Sequence, residues 1–536
     1  MSKKIGVEVR SFDEIIENNY YYVDKTSFIK EWWEKGDSVT LITRPSGFGK
    51  TLHMSMLEQF FSVKYAGRSD SFQGLSIWQE EKYRKLQGTY PVIHLSFADV
   101  KEADFESAKE KICRILTSLY REHMYLLDSD GLKDTARIYY QRIGEHMDFI
   151  DAAIALSNLS YCLWRYYDKE VIILLDEYDT PWQEACVNGY EKEWAAFMRS
   201  LLLSTFKTTR SGYRGIITGL TQIGEEPISS ELNMNILTVR DGRYANIFGF
   251  NEEDVLAALS EYGLVDQMQE VKRWYGGYVF GECRNIFHPS SVMRFLSERK
   301  FDTYLEQDRM NHLLEKILER GSAVLKLDLE ILLQDQTIYR SIKNEISYEF
   351  LGENRDATWA MLASCGYLSV LDEGMFGERV RYRSSKCYLE ITNYSVKQLF
   401  FNMIKNWFCN VEEEFHAFAE ALFQKNVESM NVHMNQIALR VYRDFDTGTR
   451  PWREEPERFY HGLLLGILVN YQNQYEIVVD SEKGFRRYDV ILHPKNSGLD
   501  IIIMELDEKM GFSFSETGDN AILYVNNKEL VSWDFV

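Results

Sequence analysis

Val39-Thr40-Leu41-Ile42-Thr43-Arg44-Pro45-Ser46-Gly47-Phe48-Gly49-Lys50-Thr51 decides the fold. Its first five residues read as a buried strand. Pro45 to Gly49 is a turn-rich loop, and Lys50-Thr51 opens a run in which Met54, Leu57 and Phe61 recur at helical spacing. A strand, a glycine loop ending in Gly-Lys-Thr and a helix start form the layout of a phosphate-binding loop. Backbone N–H groups of Gly47, Phe48, Gly49 and the helix start can wrap a phosphate. Lys50 reaches β- and γ-phosphate oxygens, and the Thr51 hydroxyl ligates Mg²⁺. The general pattern, G-x-x-x-x-G-K-[ST], wants its first glycine where this chain carries Arg44. An ordinary strand-to-helix turn is the alternative.

A second apolar run, Val171-Ile172-Ile173-Leu174-Leu175, ends in Asp176-Glu177-Tyr178-Asp179. A continuous apolar run is the signature of a parallel strand buried on both faces. Its carboxyl end lies at the ligand edge of an α/β sheet. There Asp176 supports Mg²⁺ through water, and Glu177 polarises the attacking water as general base. The alternative is a strand-end helix cap. The expected arrangement sets the loop after the first inner strand against the acidic tip of a neighbouring inner strand. A further strand, Tyr213 to Leu220, carries Thr218 where additional-strand P-loop ATPases put a γ-phosphate sensor, or simply as a strand-forming threonine.

With 536 residues the chain needs two or three domains. Apolar content of 45% and charged content of 27% suit a globular protein. A net charge of −21 argues against non-specific coating of nucleic acid or anionic membrane. The seven cysteines form no C-x-x-C pair, as expected for reduced thiols in a cytoplasmic protein. The first residues lack the apolar segment of a signal peptide. The longest greasy run, Leu463 to Val469, is too short to span a bilayer, so no membrane association is expected.

Before the loop, Tyr20-Tyr21-Tyr22-Val23-Asp24-Lys25-Thr26 leads into a helix from about Ser27, with Asp24 or Thr26 as its cap. These tyrosines either lie over a nucleotide base or simply pack. Tyr90 to Phe97 is another strand, and Asp104 to Tyr167 reads as a long helical stretch. Asn251 to Lys300 is expected to be a helical lid, with Tyr275-Gly276-Gly277-Tyr278 as a turn that either packs or stacks on a base. Phe301 to Trp407 is mostly helical. A helix at Thr358 to Cys365 precedes a hairpin of Gly366–Leu371 with Arg379–Ser384, which suggests a winged-helix unit or a generic linker.

Four phrases carry a resemblance. They are Tyr22-Val23-Asp24-Lys25-Thr26, Thr43-Arg44-Pro45 with Phe48-Gly49-Lys50-Thr51, Leu175-Asp176-Glu177-Tyr178-Asp179, and Thr218-Gly219-Leu220-Thr221-Gln222-Ile223. They are similar to the AAA-ATPase-like family, whose loop reads T-R-P-x-x-F-G-K-[ST], so Arg44 is expected there. Gln222 stands where the family often carries arginine. Arg240 and Arg243 follow as candidate substitutes for an arginine finger. The resemblance continues through Trp274-Tyr275-Gly276-Gly277-Tyr278 and Asn285-Ile286-Phe287-His288-Pro289-Ser290-Ser291-Val292. It implies a C-terminal domain similar to PD-(D/E)XK nucleases.

The C-terminal residues bear on that implication. Strands are expected at Tyr475–Asp480, Arg487–His493 and Asp500–Asp507. A hairpin centred near Ser497 sets positions 489 and 505 opposite each other, with Asp489 and Glu505 on one face. Two facing carboxylates favour a cation between them, normally Mg²⁺. Glu457 matches the family's helical acid. Glu505-Leu506-Asp507 departs from the family's E-x-K, which supplies a lysine to orient water. Either the nuclease fold is kept and cleavage lost, or another basic residue such as Arg487 substitutes. The chain also stops earlier than the family usually does.

The expected class is therefore α/β. Residues 1–250 form an AAA-like P-loop ATPase core with a parallel sheet, 251–300 a helical lid, 301–407 a helical or winged-helix-like linker, and 408–536 an α+β PD-(D/E)XK nuclease-like domain, in truncated form. The expected function is ATP hydrolysis with Mg²⁺, coupled to recognition of nucleic acid or protein by the C-terminal domain. A homo-oligomer is left open. The alternatives are a nucleotide-dependent binding switch with little turnover and an ATP-controlled metal-dependent DNA endonuclease.

Overall fold

The computed structural model describes residues 3–129, 133–207, 213–223, 231–232, 234–305, 310–320, 323–333, 335–343, 345–346, 355–371, 386–406 and 412–424, with shorter stretches beyond, the longest being 474–483 and 486–496. The chain divides into two compact units, Met1–Leu314 with Tyr339–Ser395, and Glu315–Ile338 with Val396–Val536.

The first unit opens with α1 (Phe12–Glu17) and α2 (Ser27–Lys35), then β1 (Val39–Thr43) and α3 (Lys50–Phe61). α4 (Glu81–Arg84) and β2 (Val92–Ser96) follow, then α5 (Phe105–Glu122), α6 (Lys133–Arg142), α7 (Phe149–Tyr167) and β3 (Val171–Asp176). The stretch read as one long helical region is thus three helices. Asp104 and Asp148 cap the first and third, accepting from Ser107 N at 2.9 Å and Asp151 N at 2.8 Å. After α8 (Thr180–Asn188) and α9 (Glu191–Phe206) come β4 (Tyr213–Gly219), β5 (Gln222–Ile223) and β6 (Asn235–Leu237).

Five strands form a parallel sheet in the order β2-β3-β4-β1-β6. β1 and β3 are buried along their whole length, which explains their unbroken apolar character. Alternation splits each strand between two faces. Ile42, Ile172, Leu174 and Ile216 share one core with Met54, Leu57 and Phe60 of α3 and with Phe28 and Trp32 of α2. The sheet order corrects one expectation. β3 does not neighbour β1, because β4 lies between them.

The lid region has its own core. α10 (Ala245–Phe248), α11 (Glu252–Glu261), α12 (Met268–Tyr275), a hairpin of β7 (Tyr278–Phe280) with β8 (Cys283–Ile286), and α13 (Pro289–Glu298) follow in order. Val255, Leu259, Val271, Tyr275, Phe295 and Leu296 form that core. The hairpin departs from the all-helical expectation, since strands of three and four residues are too short to show a period.

α14 (Met310–Arg320), α15 (Ala323–Leu333), β9 (Ile338–Ser341), β10 (Glu345–Ile346) and α16 (Arg355–Ser364) come next. β11 (Leu368–Leu371) and β12 (Lys386–Ile391) then pair antiparallel. A helix followed by a hairpin is present as expected. Its second strand lies at 386–391, while the expected Arg379–Ser384 lies outside the described residues. β10 pairs in parallel with β5, which follows β4 after Leu220 and Thr221.

The second unit includes α17 (Tyr394–Asn406) from Val396 onward and α18 (Glu412–Phe423). It also holds an antiparallel sheet of β13 (Tyr475–Lys483), β14 (Arg486–Pro494) and β15 (Ile502–Met504). β16 (Ser513–Thr517), β17 (Asn520–Val525) and β18 (Lys528–Ser532) form a further sheet that the sequence reading did not anticipate. Among the described residues, no helix is long and apolar enough to cross a membrane.

Candidate functional site

The carboxyl edge of the parallel sheet gathers the expected side chains. Register sets Ile42 beside Thr218 and Leu175 beside Ile217, so the tips of β1, β4 and β3 end at one level. Thr51, in the first turn of α3, donates its hydroxyl to Asp176 Oδ2 at 2.7 Å. Thr218 donates to the other oxygen, Oδ1. Asp176 is fully buried and accepts both. Lys50 is buried too, and its Nζ donates to Arg44 O at 3.0 Å and Pro45 O at 3.2 Å. Glu177 Oε1 stands 3.9 Å from that Nζ.

The backbone at both tips is specialised. Gly47 and Gly49 have φ of 74° and 73°, conformations that favour glycine. No side chain caps the N-terminus of α3, so its first-turn N–H groups stay free of a protein cap. Glu177 leaves β3 at φ 54°, an uncommon conformation for a residue with a side chain. Its carboxylate accepts from Thr180 Oγ1 at 3.1 Å and keeps about a quarter of its surface exposed.

Asp179 ties this tip to the next one. Its Oδ2 accepts from Leu220 N at 2.9 Å, Thr221 N at 2.8 Å and Thr221 Oγ1 at 2.9 Å. Burial, reinforced by the Glu177 charge, pushes its pKa up to about 6. The turn after Thr218 and the turn after Asp176 are therefore one hydrogen-bonded body.

Arg44 points towards β6 and the segment that follows it. Its guanidinium is fully buried and donates to the carbonyls of Thr43, Leu237, Thr238, Asp241 and Arg243. It lies over the Phe280 ring at 4.8 Å. It thus locks the loop to the segment after β6, and burial lowers its pKa to about 10. Arg243, one candidate for an arginine finger, pairs with Asp241 at 3.0 Å and bonds Asn235 at 3.0 Å.

Several expected contacts resolve as packing. The Tyr22 hydroxyl meets Met56 Sδ at 3.7 Å, and its ring stands edge-on to Phe12. Asp24 does not cap α2; it accepts from Thr26 N at 2.9 Å and Ser76 N at 2.7 Å, binding two loops together. The Gly276-Gly277 turn packs under Asn393, which donates to Gly276 O at 2.8 Å, and Ser369, which donates to Gly277 O at 2.9 Å.

The C-terminal acids are only partly described. Val490 faces Met504, Ile491 faces Ile503 and Leu492 faces Ile502. That register has the symmetry expected of a hairpin centred near position 497. Asp489 lies on β14, whereas Glu505, Asp507 and Glu457 lie outside the described residues.

Sequence reasoning missed the bonds of Asp179, the contact of His288 Nε2 with Ser46 O at 2.8 Å and the inward course of Arg44. Asp179 sits two residues beyond Glu177, and His288 precedes a proline as a helix cap would. Those local signals mark the positions but not their distant partners.

A parallel α/β sheet with a glycine loop, a buried lysine and an acidic strand tip at one edge defines a P-loop type of module. Residues 5–229 match the AAA-ATPase-like family, described as "Predicted AAA-ATPase". The chain is 27% identical over 398 residues, 73% of its length and 68% of the relative's, to "Uncharacterized protein in vnfD 5'region" of Azotobacter chroococcum mcd 1. Among solved structures it is similar to a Walker-type ATPase of Pyrococcus abyssi, at a TM-score of 0.35 and 12% identity, covering 70% of this chain and 94% of that one. It is also similar to the ORC2 protein of Aeropyrum pernix, in ADPNP–ADP complexes, at a TM-score of 0.31 and 11% identity, covering 74% and 98%.

Proposed function

We propose that this protein binds ATP with Mg²⁺ and hydrolyses it, residues 1–250 acting as the ATPase core and 251–300 as its lid. The observation that carries this reading is the meeting of Lys50, Thr51, Asp176, Glu177 and Thr218 at one sheet edge. Lys50 exchanges its two loop carbonyls for β- and γ-phosphate oxygens. Gly47, Phe48, Gly49 and the start of α3 offer N–H groups to the same phosphates.

The donor set fits magnesium. Thr51 Oγ1 and Asp176 Oδ2 lie 2.7 Å apart, one suited to direct ligation and the other to ligation through water. Among the described residues no group of three His, Cys, Asp or Glu side chains gathers. When bound, Mg²⁺ neutralises charge developing on the phosphates.

The two adjacent acids divide the work by environment. Asp176 is buried and already accepts two hydroxyls, which suits metal support. Glu177 is partly exposed and suits activation of water. Thr218 reports the γ-phosphate by exchanging its bond to Asp176.

For the remainder, we propose that 301–407 links the core to a nuclease-like recognition domain at 408–536. α16 with the β11–β12 hairpin supports a winged-helix-like linker. The β14–β15 register supports the nuclease-like reading. The partner engaged there is nucleic acid or protein.

Glu177→Gln tests the central reading. ATP binding is expected to persist while phosphate release falls by about a hundredfold or more. Unchanged release from an already negligible rate would instead identify a nucleotide-dependent binding switch.

A further inference from the structure

We infer that His288 is a positioning residue for phosphate binding, orienting the peptides of the glycine loop from the N-terminus of a helix more than two hundred residues away in sequence. The inference rests on the ATP-binding reading and deepens it.

His288 is the N-cap of α13. Its Nδ1 accepts from Ser291 N at 3.1 Å and meets Ser291 Oγ at 2.9 Å. A backbone amide can only donate, so Nδ1 carries no proton and Nε2 does. Nε2–H therefore donates to Ser46 O at 2.8 Å. The neighbours thus select one tautomer. A proton added at Nδ1 would face the Ser291 N–H, and burial, helped by the Lys50 charge, lowers the pKa to about 4. The imidazole stays neutral near neutral pH.

The next carbonyl is held from the same helix start, with Ser290 N donating to Gly47 O at 3.2 Å. Across a trans peptide the carbonyl and the following N–H point in opposite directions. No cis peptide occurs among the described residues. Tying Ser46 O and Gly47 O to α13 therefore turns the N–H groups of Gly47 and Phe48 away from it. The N–H groups of Gly47 and Gly49 have no protein acceptor among the described residues. They are available to an anion.

The contact also constrains the loop sequence. A Cβ on Gly47 would stand 2.4 Å from His288 Cε1. Phe48 fills the other side, edge-on to the imidazole at 5.0 Å and to Tyr278 at 5.0 Å. Pro45 is covered in turn by Gly366, whose Cβ would meet the proline ring at 2.7 Å. The outer face of the loop is a packed surface, and His288 supplies a directional side-chain bond to it.

His288→Asn separates capping from positioning. Asparagine is a strong N-cap and keeps the bond to Ser291 N. It is too short to reach Ser46 O. The expected result is a nucleotide-free melting temperature within about 2 °C of wild type, with the Kd for Mg-ATP raised roughly tenfold. KM rises with kcat unchanged. His288→Gln reverses the balance, capping poorly but reaching Ser46 O, and is expected to recover most of the affinity despite a lower melting temperature. Wild-type affinity in His288→Asn overturns the inference, as does affinity that simply follows melting temperature across both variants. A wild-type protein that binds no Mg-ATP overturns the ATP reading itself, and this inference with it.

Discussion

Thr51 and Asp176 meet across 125 positions of sequence and across an intervening strand, the threonine hydroxyl donating to Oδ2 at 2.7 Å. The contact is possible because α3 starts shortly after β1 ends and packs against β3. It brings together the two side chains proposed to hold magnesium.

Substituting Asp176 with Asn should therefore act on metal use more than on folding. The amide still offers one acceptor oxygen, and the threonine hydroxyls rotate freely, so the cost to stability is about 1–2 kcal/mol. Mg²⁺ should no longer strengthen ATP binding. Titration with ATP, with and without a chelator, measures this; a preserved magnesium effect would count against Asp176 as metal support.

Lys50→Ala should abolish the rise in melting temperature that Mg-ATP gives the wild type. Lys50 is buried and bonded to Arg44 O and Pro45 O, so the nucleotide-free protein should lose about 1–3 kcal/mol as well. Melting curves with and without nucleotide separate the two effects. A full nucleotide shift in the variant would remove Lys50 from the phosphate site.

Arg44→Lys should be costly despite conserving charge. The planar guanidinium serves five carbonyls from two segments. A single ammonium cannot span that set, and about 2–4 kcal/mol should be lost. Chemical denaturation reads the change; a variant as stable as wild type would show that the buried network contributes little.

Acid should destabilise this protein below about pH 6.5. Burial lowers the pKa of both His53 and His288 to about 4. Between 4 and the ordinary histidine value the folded state binds fewer protons than the unfolded chain, so stability climbs with pH through that window. Asp179, raised to about 6, works the other way: the folded state binds more protons between the ordinary aspartate value and 6, and stability falls there as pH rises. Asp179→Asn should thus steepen the acid limb and His288→Asn should flatten it, as read by melting temperature against pH. Parallel profiles for all three proteins would contradict these assignments.

The C-terminal domain is expected to bind without cutting. Glu505-Leu506-Asp507 lacks the lysine that would stabilise developing charge. Wild type and Asp489→Ala should both leave DNA intact with Mg²⁺ or Mn²⁺. Metal-dependent cleavage that disappears in the variant would establish the endonuclease alternative.

Much of the sheet was legible along the chain because its inner strands are covered on both faces. Val39–Thr43 and Val171–Asp176 must be apolar throughout, and such runs announce themselves. The gathering of Lys50, Thr51, Asp176, Glu177 and Thr218 near the strand tips was legible for a related reason, since polar residues take over where such apolar runs end. The hairpin near position 497 was readable from turn residues and alternation. β5, β7, β8 and β10 were not, because two to four residues carry no period.

Sequence by itself determined which strands are inner, where each one ends and which polar side chains stand at the tips. These follow from local burial and spacing. Tertiary structure alone decided that β4 separates β1 from β3, that Arg44 faces the carbonyls after β6, and that His288 reaches Ser46. Strand order and distant hydrogen bonds depend on how separate segments fold onto one another, and no local pattern of apolar and polar residues encodes that choice.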